Sequence, residues 1–464
     1  MSGLISALQS DDASTANGAV THSTTDSSLL DFFSIAGSMR NLPDSKIIRA
    51  WDKAYIENPE LALKMLLWVR DCRGGAGERR TFRVIYNHLK TADRNRIMVR
   101  IPEIGRWDDI WGGYEKNKRT QKTLTRTEVK FLAESLDSNA LLCKWLPRKG
   151  IVFDAIASYL NISARELRRR IVAGTKVVEQ QMSARKWSII NYEHVPSKAM
   201  SIYGKAFGKR DGDRFARYLD RVNKGEVKIN ASTLFPYDIL LNHAKINSTA
   251  KAVAEAQWNA LPNYSSGKEN ILVVADVSGS MGYLGDTKLR PIHASVSLAM
   301  YCSERNEGLF KDCFITFSNK PTLQKLSGSF SQRINQLSKA EWSTNTNLQA
   351  VFDLILTKGV EHGLTNEDMP SKILIVSDME FDSAITGRTN YSTIQEKYSL
   401  HGYKMPSIVF WNVNGRPGNC PVKVKDSNTA LVSGYSPSII PSILGDISPY
   451  EVMMKTIMKP KYVC

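Results

Sequence analysis

Four apolar runs recur through the C-terminal part of the chain: "ILVVA" at 271–275, "CFITF" at 313–317, "KILIVS" at 372–377 and "SIVFW" at 407–411. None of them alternates with polar residues. A strand with one wet face alternates, so a continuous run must be covered on both faces, which is the condition of a parallel sheet sandwiched by helices. The segments between the runs supply those helices. In "NLQAVFDLILTKG", Leu348, Val351, Phe352 and Ile355 fall on one face, and "PIHASVSLAMYCSERN" is apolar enough to lie against a sheet. The predicted architecture is an open parallel α/β sheet, in which ligands bind beyond the carboxyl ends of the strands.

Two of those ends carry acid. "ILVVAD" delivers Asp276 and "ILIVSD" delivers Asp378, while Ser278 and Ser280 follow Asp276 in a turn that Gly279 permits. Between them lies "WSTNTNLQ", a hydroxyl-rich loop just before a helix, with Thr344 and Thr346 as alternative contributors. One or two carboxylates with three hydroxyls form an all-oxygen set of low charge, suited to a small hard cation such as Mg²⁺. Zinc would require His or Cys, and neither is nearby in sequence. The bland alternative is a polar turn that caps the next segment. Hydrolytic chemistry has little support. "VSGSMG" is not G-x-S-x-G, no His is locally paired with either serine, and Ser278 stands where a phosphoryl-accepting Asp276 would want a second carboxylate.

From about 28 to 267 the pattern is helical. Asn58 and Pro59 open one helix as N-cap and first residue; Phe82, Ile85, Tyr86 and Leu89 form a stripe in another; Ser163 and Glu166 have capping-box spacing in a third. Many short helices without a strand pattern predict an all-α, HEAT-like helical-repeat domain, although no fixed period is visible. Residues 1–27, rich in Ser, Thr, Asp and Ala, read as a disordered tail. The composition change at "LPNYSSGKEN" sets the boundary, giving a helical domain at 28–267 and a sheet domain at 268–464.

Charge is divided unevenly between these parts. Of the net +16, residues 1–267 hold +14, from 42 basic and 28 acidic side chains. A polyanion such as RNA is the partner this implies, with a merely soluble surface as the alternative. Candidate contacts are Arg70, Arg73, Arg79, Arg80 and Arg83 around the Gly-rich turn of "RDCRGGAGERRTFR", with Arg168, Arg169, Lys176, Arg185 and Lys186 further on. The bland reading of the first group is a turn whose arginines pair with nearby carboxylates. No Gly-Lys-Ser/Thr follows the glycines, so the turn is not a Walker nucleotide loop. Trp107 and Trp111 read as core packing rather than base-stacking platforms. Six scattered cysteines with no C-x-x-C pair indicate reduced thiols, and no apolar run is long enough to span a membrane, so a cytoplasmic protein is expected.

D-x-S-x-S after a buried strand, a later Thr and an Asp ending another strand resemble the metal-ion-dependent adhesion site (MIDAS) of von Willebrand factor A domains. On that pattern Asp276, Ser278 and Ser280 are the first loop, Thr346 the second and Asp378 the third, with one metal position kept for a partner's acidic group. Together with "RDCRGGAGERR" and "IPEIGRWDDIW" in the helical part, the chain is similar to the TROVE (Ro autoantigen-like) proteins. It is more similar still to a related, largely uncharacterised family of plants, fungi and large viruses that shares counterparts of "SDMEFD", "KMPSIVFWN" and "FITFS". The resemblance implies a non-enzymatic ribonucleoprotein component. Its helical domain would bind structured or misfolded noncoding RNA, and its A domain would hold Mg²⁺. The alternatives are a metal-dependent protein–protein assembly module without RNA and, more remotely, a metal-dependent nuclease or phosphatase.

Overall fold

A computed structural model describes residues 12–115, 118–244, 248–265, 269–317, 321–338, 346–382 and 390–464 of the chain. The predicted boundary at 267/268 and the alternative ligand Thr344 lie outside the described residues.

The C-terminal part is a six-stranded sheet. With the two short hairpins that precede it numbered β1 to β4 below, its strands are β5 (Ile271–Ala275), β6 (Cys313–Thr316), β7 (Thr322–Lys325), β8 (Lys372–Ser377), β9 (Ser407–Asn412) and β10 (Thr429–Ser433). The order is β10-β9-β8-β5-β6-β7. Every pairing is parallel except β6 with β7, which is antiparallel. All residues of β6, β8 and β10 are buried, as continuous apolar runs require. The edge strand β7, "TLQK", is largely exposed, and its link to β6 is too short for a crossover helix, so it can only return antiparallel. The sheet is therefore mixed at that edge rather than wholly parallel.

The N-terminal part is built from short helices, beginning with α1 (Ser28–Ala36), α2 (Asp44–Glu57), α3 (Pro59–Arg70) and α4 (Arg79–His88). Asn58 caps α3 by accepting from Leu61 N at 3.0 Å, with Pro59 at its first position. Phe82, Ile85, Tyr86 and Leu89 are all buried, and Trp107 stacks on Phe131 as a core residue. Among the described residues a hairpin interrupts the helices, β3 (Gly112–Glu115) with β4 (Lys118–Gln121), so the region is helical but not all-α. Strands of four residues are too short for periodicity to reveal. Near the end of this region, residues such as Met200, Phe207, Phe215 and Val253 form a second core, separate from the one shared by the rest of the molecule. None of the helices is long and apolar enough to cross a membrane, among the described residues.

The tail expected at 1–27 needs correction over its described part. Residues 12–22 form a hairpin, β1 (Asp12–Ser14) with β2 (Val20–His22), which makes isolated bridges to Asp382 and Cys420 beside the sheet. Its low apolarity hid the fold because this segment buries mainly small and hydroxyl-bearing residues, Thr15, Ala19 and Thr21, and is tied down by hydrogen bonds. Helix α1 then packs on β10. Gly37 N donates to Ser433 Oγ at 2.9 Å, and Ser433 Oγ donates to the Phe33 carbonyl at 2.7 Å.

Candidate metal centre

Chain order sends β6 to one side of β5 and β8 to the other, so the fold reverses direction between β5 and β8. In open α/β sheets that reversal opens a crevice at the carboxyl ends. Asp276 and Asp378 leave β5 and β8 at this point, with Ala275 paired to Val376 in register. Asp276 N donates to the Val376 carbonyl at 3.0 Å, and both carboxylates are fully buried.

Asp276 is well held. Its Oδ1 accepts from Ser278 N at 2.9 Å and its Oδ2 from Ser377 Oγ at 2.5 Å. Ser278 Oγ lies 3.1 Å from Ser280 Oγ, and Ser280 is exposed, so the cluster opens to solvent on that side. Asp378 differs. Its Oδ1 accepts weakly from Glu380 N at 3.4 Å, but among the described residues its buried Oδ2 has no hydrogen-bond donor. The nearest cation to that oxygen is Arg416 at 3.6 Å, whose other nitrogen pairs with Glu380 at 2.8 Å. Burial, then the neighbouring Asp378, pushes the Asp276 carboxyl up to about 6. Burial also raises Asp378, against the opposing pull of Ser280 and Arg416.

Thr346 is buried and reaches the end of β8 from the loop just before the helix Leu348–Glu361, which Asn347 caps. Its hydroxyl lies 2.8 Å from the Glu380 carbonyl and 2.9 Å from Asp382 Oδ1, and it accepts from Asn17 Nδ2 at 2.9 Å. The contacts that fix it thus run to the segment just past Asp378. The crevice gathers Asp276, Ser278, Ser280 and Asp378 directly and Thr346 through that segment. Sequence reading did not single out Ser377, Glu380, Asp382, Arg416 or Asn17. Glu380 and Asp382 alternate with Asp378 in "SDMEFD", a signal that was readable. Arg416 and Asn17 arrive only through the sheet order and the N-terminal hairpin.

Two buried carboxylates side by side, one with an orphaned oxygen, and a pair of touching hydroxyls fit a hard cation with water in its shell. Among the described residues no group of three or more His, Cys, Asp or Glu could hold a metal, so such an ion would rest on the mixed carboxylate–hydroxyl set.

The candidate RNA contacts separate into two groups. Arg70 and Arg83 are 2% exposed and hold the two oxygens of Asp109, at 2.6 and 2.7 Å, with Arg83 also 3.0 Å from Asp108. Burial pushes the Asp109 carboxyl up, but the two guanidinium groups outweigh it and keep it below the usual carboxylate range. These two arginines are structural and cannot reach a phosphate. Arg80 pairs with Asp44 and donates to the Leu42 carbonyl at 2.6 Å, bracing the start of α2. Arg73 is exposed and donates to the Glu103 carbonyl at 2.9 Å, while Arg79 is half-buried. By contrast Arg168, Arg169, Lys176, Arg185 and Lys186 are all exposed.

Residues 270–457 match a family described as "Domain of unknown function (DUF7788)", and residues 15–99 and 135–264 match "Domain of unknown function (DUF2828)". The chain is 24% identical over 506 residues to "Uncharacterized protein L728" of Acanthamoeba polyphaga mimivirus, across 96% of this chain and 86% of that one. Among solved structures it is similar to the Ro (RSR) protein of Deinococcus radiodurans. That alignment covers 92% of each chain, with 12% identity and a TM-score of 0.37.

Proposed function

We propose that the chain is a non-enzymatic, cytoplasmic RNA-binding protein. An exposed basic lobe holds the phosphate backbone, and the sheet carries a Mg²⁺ adhesion site. The exposure of Arg168, Arg169, Lys176, Arg185 and Lys186 carries the reading. They belong to a stretch, 164–228, with sixteen basic and seven acidic residues. Lys205, Lys209, Arg210, Arg217 and Lys224 continue the exposed cations along the helices Ser197–Arg210 and Gly212–Asn223. Such a surface recognises a polyanion through counterion release and needs no base readout. The contact surface is thereby moved away from the Gly-rich turn, where Arg70 and Arg83 are committed to Asp109.

The test is RNA affinity as a function of salt. Neutralising about five phosphates of a single strand gives a log–log slope of about −3.5, hence a fall of about a hundredfold between about 50 and 200 mM salt. The triple variant Arg168→Glu, Lys176→Glu, Arg185→Glu flattens that slope. No binding to structured or single-stranded RNA at low salt would sink the proposal.

A second reading, an assembly module that uses the cation to take a partner's carboxylate, is favoured by the orphaned Oδ2 of Asp378. On either reading Asp276, Ser278, Ser280 and Asp378 would hold the ion, with Thr346 at the rim. The ion would supply a Lewis-acidic position for an incoming acid.

A further inference from the structure

A cavity of about 210 Å³ lies between α1, α2 and the loop after β9. Three cations of α2 line it, Lys46, Arg49 and Lys53. Their i, i+3, i+7 spacing puts them on one face, opposite the face that buries Ile47, Trp51 and Ala54. All three are exposed, and among the described residues none has a carboxylate partner. Arg416 closes the far wall, and Phe32 and Ile35 contribute an apolar floor.

Asp31, the acid lining the cavity, keeps its charge but, among the described residues, forms no ion pair with these three cations. Asp31 is already satisfied, accepting from Thr24 Oγ1 at 2.6 Å and from Thr25 N and Oγ1 at 2.7 Å each. Elsewhere on the helical surface arginines close to carboxylates do pair with them, as Arg96 does with Glu60 and Arg214 with Asp211. What sets these three apart from the exposed cations of residues 164–228 is their place on the wall of a concave, partly apolar space. Mutual repulsion disfavours the arrangement unless an anion is shared among them.

We propose that this cavity binds a small phosphomonoester with a flat apolar body. The dianionic phosphate has three terminal oxygens to distribute among Lys46, Arg49 and Lys53, with Arg416 within the same wall. A cavity of about 150 Å³ accommodates a benzene ring, so the volume here admits a ring and a phosphate but not a nucleic-acid duplex. The pocket shares Arg416 with the cation site, where it pairs with Glu380 and lies 3.6 Å from Asp378, so measurement in EDTA keeps the two apart.

Phenyl phosphate is the probe, titrated calorimetrically into the full chain in EDTA at constant ionic strength. It should bind at least about tenfold more tightly than phenol, and inorganic phosphate should compete. The variant Lys46→Ala, Arg49→Ala, Lys53→Ala alters exposed side chains only, so it should melt like the wild type while losing at least about tenfold in affinity. Equal binding of phenol and phenyl phosphate, or equal affinity in wild type and variant, would overturn the site. Displacement of phenyl phosphate by a 5′-phosphorylated oligonucleotide but not by its 5′-hydroxyl counterpart would identify an RNA end as the source. Displacement by free phosphomonoesters alone would identify a small metabolite, and either result supports the pocket.

Discussion

Asp378 carries two opposite consequences in one side chain. Buried beside Asp276, with one oxygen that has no hydrogen bond among the described residues and only Arg416 at 3.6 Å, it disfavours the fold without a metal ion and favours it with one. Asp378→Asn should therefore be no less stable than wild type in EDTA, because it removes one of two adjacent buried charges. In Mg²⁺ the order should reverse. At about a hundredfold excess over its dissociation constant the ion adds about 2.7 kcal/mol to the wild type, and nothing to Asp378→Asn or Asp276→Ala. Melting curves with and without Mg²⁺ decide this; parallel curves for wild type and variants would remove the metal from the site. Asp109 behaves in the contrary way, since its two arginines are already in place. Arg83→Ala leaves a buried carboxylate short of a partner and should cost about 3–5 kcal/mol, read as a large drop in melting temperature with the salt slope of RNA binding unchanged. The difference in legibility has a physical origin. Asp276, Ser278 and Ser280 lie within five residues, so their shared chemistry is visible in the sequence. Asp109 lies 39 residues from Arg70 and 26 from Arg83, and no local pattern announces that pairing.

Strands inside the sheet were readable, and elements at its edges, β10 and β7 among them, were not. Strands β5, β6, β8 and β9 announce themselves as apolar runs. Strand β7 is polar and exposed, and the β1–β2 hairpin is anchored by hydrogen bonds such as Thr15 Oγ1 to the Phe381 carbonyl at 2.7 Å. Helix α1 was assigned to the helical domain, yet its C-terminal end is fitted to the sheet. At Gly37 an added Cβ would come within 2.5 Å of the Ser433 carbonyl oxygen, which is backbone and cannot swing aside. Gly37→Ala should therefore destabilise by about 1–3 kcal/mol. The control is Gly212, the first residue of the helix Gly212–Asn223, where an added Cβ meets nothing within 4 Å. Gly212→Ala should stabilise by about 0.4–1 kcal/mol through the unfolded state. If the two substitutions shifted the melting temperature alike, the close approach of α1 and β10 would be wrong.

At the scale of the whole molecule the two ends of the chain are exchanged. The N-terminal hairpin and α1 rest on the sheet, while residues near the C-terminus rest on the helices: Tyr462 Oη donates to Asp71 at 2.9 Å, Lys461 pairs with Asp71, and Arg100 donates to the Lys461 carbonyl at 3.0 Å. Arg40 adds a third tie, paired with Glu78 and lying 3.9 Å over the ring of Tyr435. One apolar core consequently runs through α1, the sheet and the first helices. Cutting the chain at its compositional boundary would divide that core. A fragment of residues 269–464 loses α1, which buries Leu29, Leu30, Phe32, Phe33 and Ile35. Each large apolar side chain is worth about 1.5–3 kcal/mol when buried. Five of them, even if only half of their burial is against the sheet, approach the roughly 5–15 kcal/mol that stabilises a whole domain. The fragment should therefore lack a cooperative melting transition and expose the face of β10, read as dye binding to apolar surface. Joining residues 12–38 to the same fragment through a flexible linker should restore a transition. Equal melting of the fragment with and without those residues would show that the sheet closes on its own and that α1 is only a neighbour.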